Sequence, residues 1–182
     1  MRVITGQARG RRLISPEGYD VRPTTDKVKE SLFNIIQFRL SGAVVLDLFA
    51  GSGQLGIEAL SRGAEKAVFV DSSRKSLDVV KKNIELCKFT SIAQTHLLDA
   101  TAFLRTNREK FDIVILDPPY HKNLCISALE LLGDAVNEDN VVICETQSDE
   151  DLPEAVGSFI IDRVYSYSSI KLTVYRVDSE KE

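Results

Sequence analysis

Short apolar runs alternate with stretches of helical periodicity along most of the chain. The runs at 44–48, 67–70, 93–98, 111–116 and 141–144 predict five strands. Apolar residues recur at helical spacing between them, most clearly over 74–88, and we also predict helices over 54–62, 100–108 and 123–135. Because strand and helix alternate, the pattern predicts an α/β fold with a parallel sheet covered by helices on both faces.

The two ends of the chain follow other patterns. Residues 159–167 and 170–177 are adjacent β-rich runs joined by Ser168 and Ser169, which predicts an antiparallel hairpin that ends the sheet. Residues 26–39 carry apolar residues at helical spacing and predict a helix before the first strand. Residues 1–22 predict short strands or a partly mobile arm.

Composition narrows the class of protein. The chain has 182 residues, 43% of them apolar, and its longest apolar runs fall far short of the ~20 residues that a membrane span needs. The first residues have no apolar segment typical of a secretory signal. Three widely spaced cysteines and two histidines form no metal-binding pattern. We therefore expect a cytoplasmic protein without a membrane segment and without a metal.

The charge is unevenly distributed. The formal net charge of -4 argues against a generic nucleic-acid binder, but residues 1–40 hold eight basic and four acidic residues, a net +4. Residues 41–182 hold 15 basic and 23 acidic residues, a net -8. The sequence therefore predicts nucleic-acid contact confined to a basic N-terminal segment, although a solvated basic face would leave the same pattern.

A glycine-rich loop follows the first predicted strand. Gly51, Gly53 and Gly56 satisfy the spacing GxGxxG, and Asp71 lies where a ribose-binding acid stands in dinucleotide folds. Asp47, at the end of the strand, would repel a pyrophosphate and suits a cationic ligand better. S-adenosylmethionine carries a sulfonium and an ammonium group, so it fits this loop better than a dinucleotide does. A merely structural strand–helix turn is the alternative.

The segment Asp117-Pro118-Pro119-Tyr120 follows the fourth predicted strand. Two prolines stiffen the backbone and leave carbonyl groups free to meet a ligand. Asp117 and the Pro118 carbonyl could accept both hydrogens of a planar amine, while Tyr120 offers a face on which a base could stack. A strand-ending turn with a buried tyrosine is the alternative.

These segments, with RVITGQARGRRL, RPTTDKVKESLFNI and VFVD, resemble one family. It is the RsmD-type 16S ribosomal RNA guanine-N2 methyltransferases, within the Rossmann-like class I S-adenosylmethionine-dependent methyltransferases. The glycine loop and DPPY alone would also fit methylation of adenine N6 in DNA or RNA, or of protein glutamine. A nicotinamide-dependent oxidoreductase and a catalytically silent RNA-binding module remain the alternatives from other classes.

The resemblance implies roles for individual residues. It implies a basic extension over 1–40, a methyltransferase domain over 41–182, and a monomer acting on ribosomal RNA within the small subunit. The implied cofactor-binding residues are Asp47, Phe49, Gly51, Gly53, Asp71, Asp99, Ala100 and Thr24. The implied catalytic residues are Asp117, Pro118 and Tyr120. The implied RNA-binding residues are Arg9, Arg11, Arg12, Arg22, Pro119 and His121.

Two acidic residues, Asp99 and Glu145, each have two possible roles. Asp99 matches the acid that meets the adenine amine, but it would equally serve as the N-cap of the helix at 100–108. Glu145 ends the fifth predicted strand and either lines the base pocket or is solvated.

Overall fold

The computed structural model describes residues 1–15, 26–120 and 122–178. The strands are β1 Val44–Asp47, β2 Lys66–Asp71, β3 Ala93–Leu97, β4 Phe111–Leu116, β5 Val136–Gln147, β6 Ala155–Val156, β7 Phe159–Ser166 and β8 Ile170–Val177. The helices are α1 Asp26–Ile36, α2 Gln54–Ser61, α3 Arg74–Cys87, α4 Ala100–Thr106 and α5 Leu124–Leu132, with short 3₁₀ turns at Gln37–Arg39 and Gly133–Ala135. Each predicted strand and helix is therefore present, with shifted ends.

The strands form one sheet in the order β3-β2-β1-β4-β5-β8-β7-β6. β3, β2, β1, β4 and β5 are parallel. The hairpin is confirmed, and its second strand β8, rather than β7, pairs antiparallel with β5. The α/β fold with a mainly parallel Rossmann-like sheet and an antiparallel C-terminal end is as the sequence predicts.

The fifth strand is longer than its apolar run. β5 begins at Val136, five residues before the predicted start, because Val136 pairs with Phe111 while the mainly polar residues 137–140 interrupt the apolar pattern. Phe111 of β4 lies opposite Val136, while Ile113 lies opposite Val141, so the register shifts between them. Asn137 Nδ2 donates to Asp112 Oδ1 at this irregularity (2.5 Å).

The sheet separates two apolar layers. Neighbouring residues on a strand point to opposite faces, so Val45 packs in one layer and Leu46 in the other. The first layer holds the buried residues of α1, α2 and α3, and the second holds those of α4 and α5. The two-faced helical cover that the sequence predicts is therefore present.

The described N-terminal residues, 1–15, form a segment that we call the arm. Its side chains Val3, Ala8 and Leu13 are buried in the first layer. Gly6 has φ +85°, and a Cβ on it would lie 1.7 Å from the Ser61 carbonyl oxygen, so the arm touches the end of α2. One antiparallel bridge joins residues 2 and 12. The expectation of a partly mobile arm is thus wrong for residues 1–15, and residues 16–22 lie outside the described part.

Strand order reverses between β1 and β4. The chain builds outward from β1 to β3 and then returns to the other side of β1 with β4. Loops at the carboxyl ends of β1 and β4 consequently diverge and leave a crevice, which is where open α/β sheets bind ligands.

Candidate active site

Four acids end four neighbouring strands beside this crevice. Asp71 ends β2, Asp47 ends β1, Asp117 follows β4, and Glu145 lies near the end of β5. Asp47 pairs with Ile115, which places Asp117 just beyond it on the next strand. The sheet thereby gathers negative charge at one edge.

Asp47 is buried and only partly satisfied. Its side chain is 1% exposed, and Oδ2 accepts the Gly56 backbone N–H at 3.0 Å. Within the described part of the chain, Oδ1 has no hydrogen-bond partner. The pKa of Asp47 is raised to about 7, chiefly by burial and further by the charges of Asp117 and Asp71, against the lowering effect of the Gly56 hydrogen bond. A cation placed here would stabilise the ionised carboxylate.

The three glycines of the loop are there for two physical reasons. Gly51 and Gly53 have φ of +55° and +77°, in the left-handed region that favours glycine. Gly56 lies on α2, where an added Cβ would approach the Phe69 ring to 2.3 Å. The first two therefore shape the turn, and the third lets α2 pack closely on β2.

Asp71 holds the glycine loop from the neighbouring strand. Its Oδ2 accepts the Gly51 backbone N–H at 2.8 Å, and its Oδ1 accepts that of Ser73 at 2.7 Å. Each carboxylate oxygen has a second lone pair for a further donor. Binding of a ribose by Asp71 stays a prediction.

Asp99 caps α4. Its Oδ1 accepts the backbone N–H groups of Thr101 (2.9 Å) and Ala102 (3.3 Å), so the N-cap role is present. Both cap bonds use Oδ1, which leaves the adenine role compatible with them. Ala100 is half-buried in the first turn of α4, and Phe49 is half-buried in the glycine loop. The cofactor roles of all three stay predictions.

The DPPY segment lies directly beside β5. Asp117 and Tyr120 are half-buried, Pro118 is buried and Pro119 is exposed. Burial raises the pKa of the Asp117 carboxyl well above its ordinary value, and the charge of Glu145 raises it further. Base binding by this segment stays a prediction.

Glu145 belongs to this cluster. It is 1% exposed, and its Oε1 accepts the Tyr120 hydroxyl at 3.2 Å. The solvated alternative for Glu145 is therefore wrong. Its role in a base pocket stays a prediction.

Comparison with known proteins places the chain in a family. The family described as conserved hypothetical protein 95 matches residues 1–176. Ribosomal RNA small subunit methyltransferase D of Haemophilus influenzae is 38% identical over 158 residues, which cover 84% of this chain and 81% of that protein. The chain belongs to the RsmD family.

Other members cover nearly the whole chain. YlbH of Bacillus subtilis is 40% identical over 181 residues, covering 97% of this chain and 98% of its own. The solved structure of yhhF of Escherichia coli is 32% identical, covers 98% of both chains and has a TM-score of 0.87. The fold is thus that of the class I methyltransferases, and S-adenosylmethionine is the expected cofactor of this RsmD-family protein.

The site fits that cofactor. The buried Asp47 carboxylate, with one oxygen unpaired in the described structure, suits an ammonium group. Two glycines with left-handed φ shape the loop that follows it. In the described residues, no group of His, Cys, Asp and Glu side chains could hold a metal ion, and no helix could cross a membrane.

Three of the four arginines predicted to bind RNA lie on the arm of this RsmD-family chain. Arg9 and Arg12 are exposed on the arm, and Arg11 donates to the Leu86 carbonyl oxygen near the end of α3. Arg22, Thr24 and His121 lie outside the described residues. Arg11 therefore lies against α3, and the RNA contacts of the arm arginines stay predictions.

Asn83, which sequence reasoning missed, joins the arm to the glycine loop. Its amide is fully buried on α3. Oδ1 accepts the Ile14 N–H at 2.8 Å, while Nδ2 donates to the carbonyls of Ile14 (3.0 Å) and Ser52 (2.9 Å). The only sequence signal is a polar residue beside the apolar stripe of α3.

Glu58, also missed, ties the arm to α1 and α2. It is fully buried and lies 3.7 Å from Lys29 Nζ and 2.9 Å from Arg62 Nε. Its two carboxylate oxygens accept the backbone N–H groups of Ile4 (2.8 Å) and Thr5 (3.0 Å). Burial lowers the pKa of Lys29, and the charge of Glu58 opposes that shift. A lone glutamate in a predicted helix gives no hint of such a cluster.

Proposed function

We propose that this protein transfers the methyl group of S-adenosylmethionine to the exocyclic N2 amine of a guanine in small-subunit ribosomal RNA. The observation that carries the proposal is the pairing of β1 with β4, which sets Asp47 beside the DPPY segment. A cation site and an acceptor site for an amine then share one crevice. The relative named for small-subunit ribosomal RNA supports the choice of substrate.

Different residues of the site would bind the methionine, ribose and adenine parts of the cofactor. Asp47 would bind the ammonium group, the backbone at Gly51 and Gly53 would pass close to the methionine part, and Asp71 would bind the ribose. S-adenosylmethionine supplies a methyl group that is electrophilic because it is bonded to a sulfonium. Phe49, Asp99 and Ala100 would enclose the adenine.

This chain would accelerate methyl transfer mainly by orienting the amine. Guanine N2 is conjugated with its ring and is a poor nucleophile. Asp117 and the Pro118 carbonyl would accept its two hydrogens and favour the pyramidal nitrogen of the transition state. Holding two reactants at attack distance can contribute up to ~7–11 kcal/mol. Methyl transfer then needs no metal.

The amine must lose a proton once its lone pair forms the new bond to carbon. Asp117 is a stronger base than an ordinary carboxylate, because its pKa is raised by burial and by Glu145. The proton passes to Asp117 or to water. Tyr120, held by Glu145, would present its ring to the base after the base has left its stack.

Mapping the product tests the proposal. Small ribosomal subunits that lack the modification are incubated with radiolabelled S-adenosylmethionine and the full chain, and the RNA is digested to nucleosides. We expect the label in N2-methylguanosine. Label in N6-methyladenosine, or in protein, would show that the chain methylates a different amino group. Absence of label in RNA and protein would refute methyl transfer.

The assembly state of substrate and enzyme also enters the proposal. We propose that a monomer acts in the cytoplasm on the assembled small subunit rather than on free RNA. Comparing label incorporation into a free transcript and into assembled particles at equal concentration tests this choice. Faster labelling of the transcript would contradict it.

A further inference from the structure

We propose that the arm and the exposed face of α3 form one continuous basic surface that binds the RNA backbone. This inference rests on the proposed function, since it assigns the surface to the same RNA substrate. It extends the predicted contact beyond the basic residues of segment 1–40.

The helix α3 carries a local excess of positive charge inside an acidic domain. Residues 74–88 hold five basic and two acidic residues, a net +3, whereas residues 41–182 as a whole carry -8. The exposed basic residues of α3 and its C-cap are Arg74, Lys75, Lys81, Lys82 and Lys88. The opposite stripe of the helix, including Leu77 and Val80, is buried in the core.

The arm lies directly beside this helix. The Arg11 guanidinium donates to the Leu86 carbonyl, and Asn83 holds Ile14 through both its N–H and its carbonyl. The arm holds four arginines and no acid over residues 1–15, and one of them, Arg2, pairs with Asp26 at 3.2 Å. Packing therefore joins two basic segments that lie some 60 residues apart in the sequence.

The basic side chains of α3 form no ion pairs with the other residues that the structure describes. Asp78 and Glu85 stand three or four residues from Lys81 and Lys82, at spacings that allow helical pairs. Within the part of the chain that the structure describes, none of the basic residues of α3 forms an ion pair within 4.0 Å. By contrast, Lys66 pairs with Glu109 at 2.5 Å. Unpaired, exposed cations are available to phosphates.

The surface also leads to the crevice. α3 begins three residues after Asp71, so Arg74 and Lys75 lie at the edge of the sheet that carries the acids. A phosphate backbone bound along α3 would reach the carboxyl edge of the sheet, where the DPPY segment follows β4, two strands away from β2. Ionised acids in the crevice would repel phosphates from the site itself.

The salt dependence of RNA binding tests the surface. The double variant Lys81→Gln, Lys82→Gln is titrated with fluorescently labelled small ribosomal subunits that lack the modification, at several salt concentrations. Each phosphate contact to a single strand contributes about 0.7 to the slope of log affinity against log salt. We expect the slope to fall by about 1.4, with unchanged S-adenosylmethionine affinity.

The matched control carries the same charge change elsewhere. Arg108→Gln, Lys110→Gln neutralises two exposed cations before β4, and we expect the wild-type slope. A second pair, Arg74→Gln, Lys75→Gln, repeats the test at the other end of α3. The surface is refuted if neither α3 pair lowers the slope, or if the control lowers it equally. Failure of the proposed function would instead appear as label outside N2-methylguanosine, with the binding slopes unaffected.

Discussion

At the scale of single residues, the site concentrates like charges where water is partly excluded. Asp47, Asp71 and Asp117 end neighbouring strands, and the repulsion between them adds to the cost of burying Asp47. The free protein reduces that cost by holding protons, and a cationic ligand reduces it by opposite charge. Ligand binding and proton release are therefore linked at Asp47.

We predict that affinity for S-adenosylmethionine falls as the pH is lowered below about 7, the raised pKa of Asp47. Below that pH the folded protein holds Asp47 neutral, and the neutral acid does not attract an ammonium group. Asp47→Asn keeps an acceptor for the Gly56 N–H, should bind the cofactor more weakly, and should lose this pH dependence. Isothermal titration calorimetry from pH 6 to pH 8 measures both effects.

The raised pKa of Asp47 also predicts the direction in which the free energy of unfolding changes with pH. The unfolded Asp47 ionises near its ordinary pKa of 3.8 and the folded one near 7, so the folded state binds more protons between these values. Asp47 therefore lowers the free energy of unfolding as pH rises from about 4 to about 7, and Asp47→Asn should remove that loss. Asp78→Asn, at an exposed acid, is the control. Equal pH dependence in wild type and Asp47→Asn would contradict the assignment.

Asp117 can be tested separately from the cofactor. We predict that Asp117→Ala lowers kcat by about 10²-fold or more, because an acceptor for the amine and its proton is lost. Affinity for S-adenosylmethionine should stay near that of wild type. Asp117→Asn keeps an acceptor oxygen but takes no proton, so its kcat separates orientation from proton acceptance. Equal loss of turnover and cofactor affinity would show that Asp117 belongs to the cofactor site.

At the scale of elements, local pattern predicts the strands and helices well but their contacts poorly. The periodicity of α3 and the apolar runs of β1 and β4 are visible in the sequence because each element keeps the same pattern of burial from end to end. β5 changes environment at residues 137–140, where the residues are polar and the register with β4 shifts. Glu58 and Asn83 look like ordinary polar helix residues, since their partners come from a distant segment.

We predict that Glu58→Gln destabilises the fold by about 3 kcal/mol. The change leaves Lys29 buried without its counter-charge, and breaking a buried pair typically costs 3–5 kcal/mol. Urea unfolding measures the difference. Glu65→Gln, at an exposed position four residues after α2, should stay within about 0.5 kcal/mol of wild type. A Glu58 variant as stable as that control would show that the cluster contributes nothing.

At the scale of the whole molecule, the basic arm is part of the core as well as a charged surface. Its apolar side chains complete the first layer, while its arginines stay exposed. We therefore expect deletion of the arm to lower stability and, if the proposed RNA contact holds, to weaken RNA binding as well. Neutralising the exposed Arg9 and Arg12 would change RNA binding with little change in stability.

We predict that removing residues 1–15 lowers the free energy of unfolding by several kcal/mol. Val3 and Leu13 are lost from the core, and each fully buried side chain of this kind contributes about 1.5–3 kcal/mol. Arg9→Gln, Arg12→Gln should unfold like wild type and bind RNA with a smaller salt slope. Urea unfolding of the truncated chain at the wild-type midpoint would contradict the packing role of the arm.

The sequence by itself determined the order of strands and helices, the glycine loop, the DPPY segment and the family, because these depend on residues close together along the chain. It also located the four acids, since each ends a predicted strand. Only the tertiary structure decided that Glu145 is buried beside Asp117, that Glu58 and Asn83 fasten the arm, and that the arm lies along α3. These contacts join segments far apart in sequence, and their energies depend on burial and partner geometry, which no local pattern encodes.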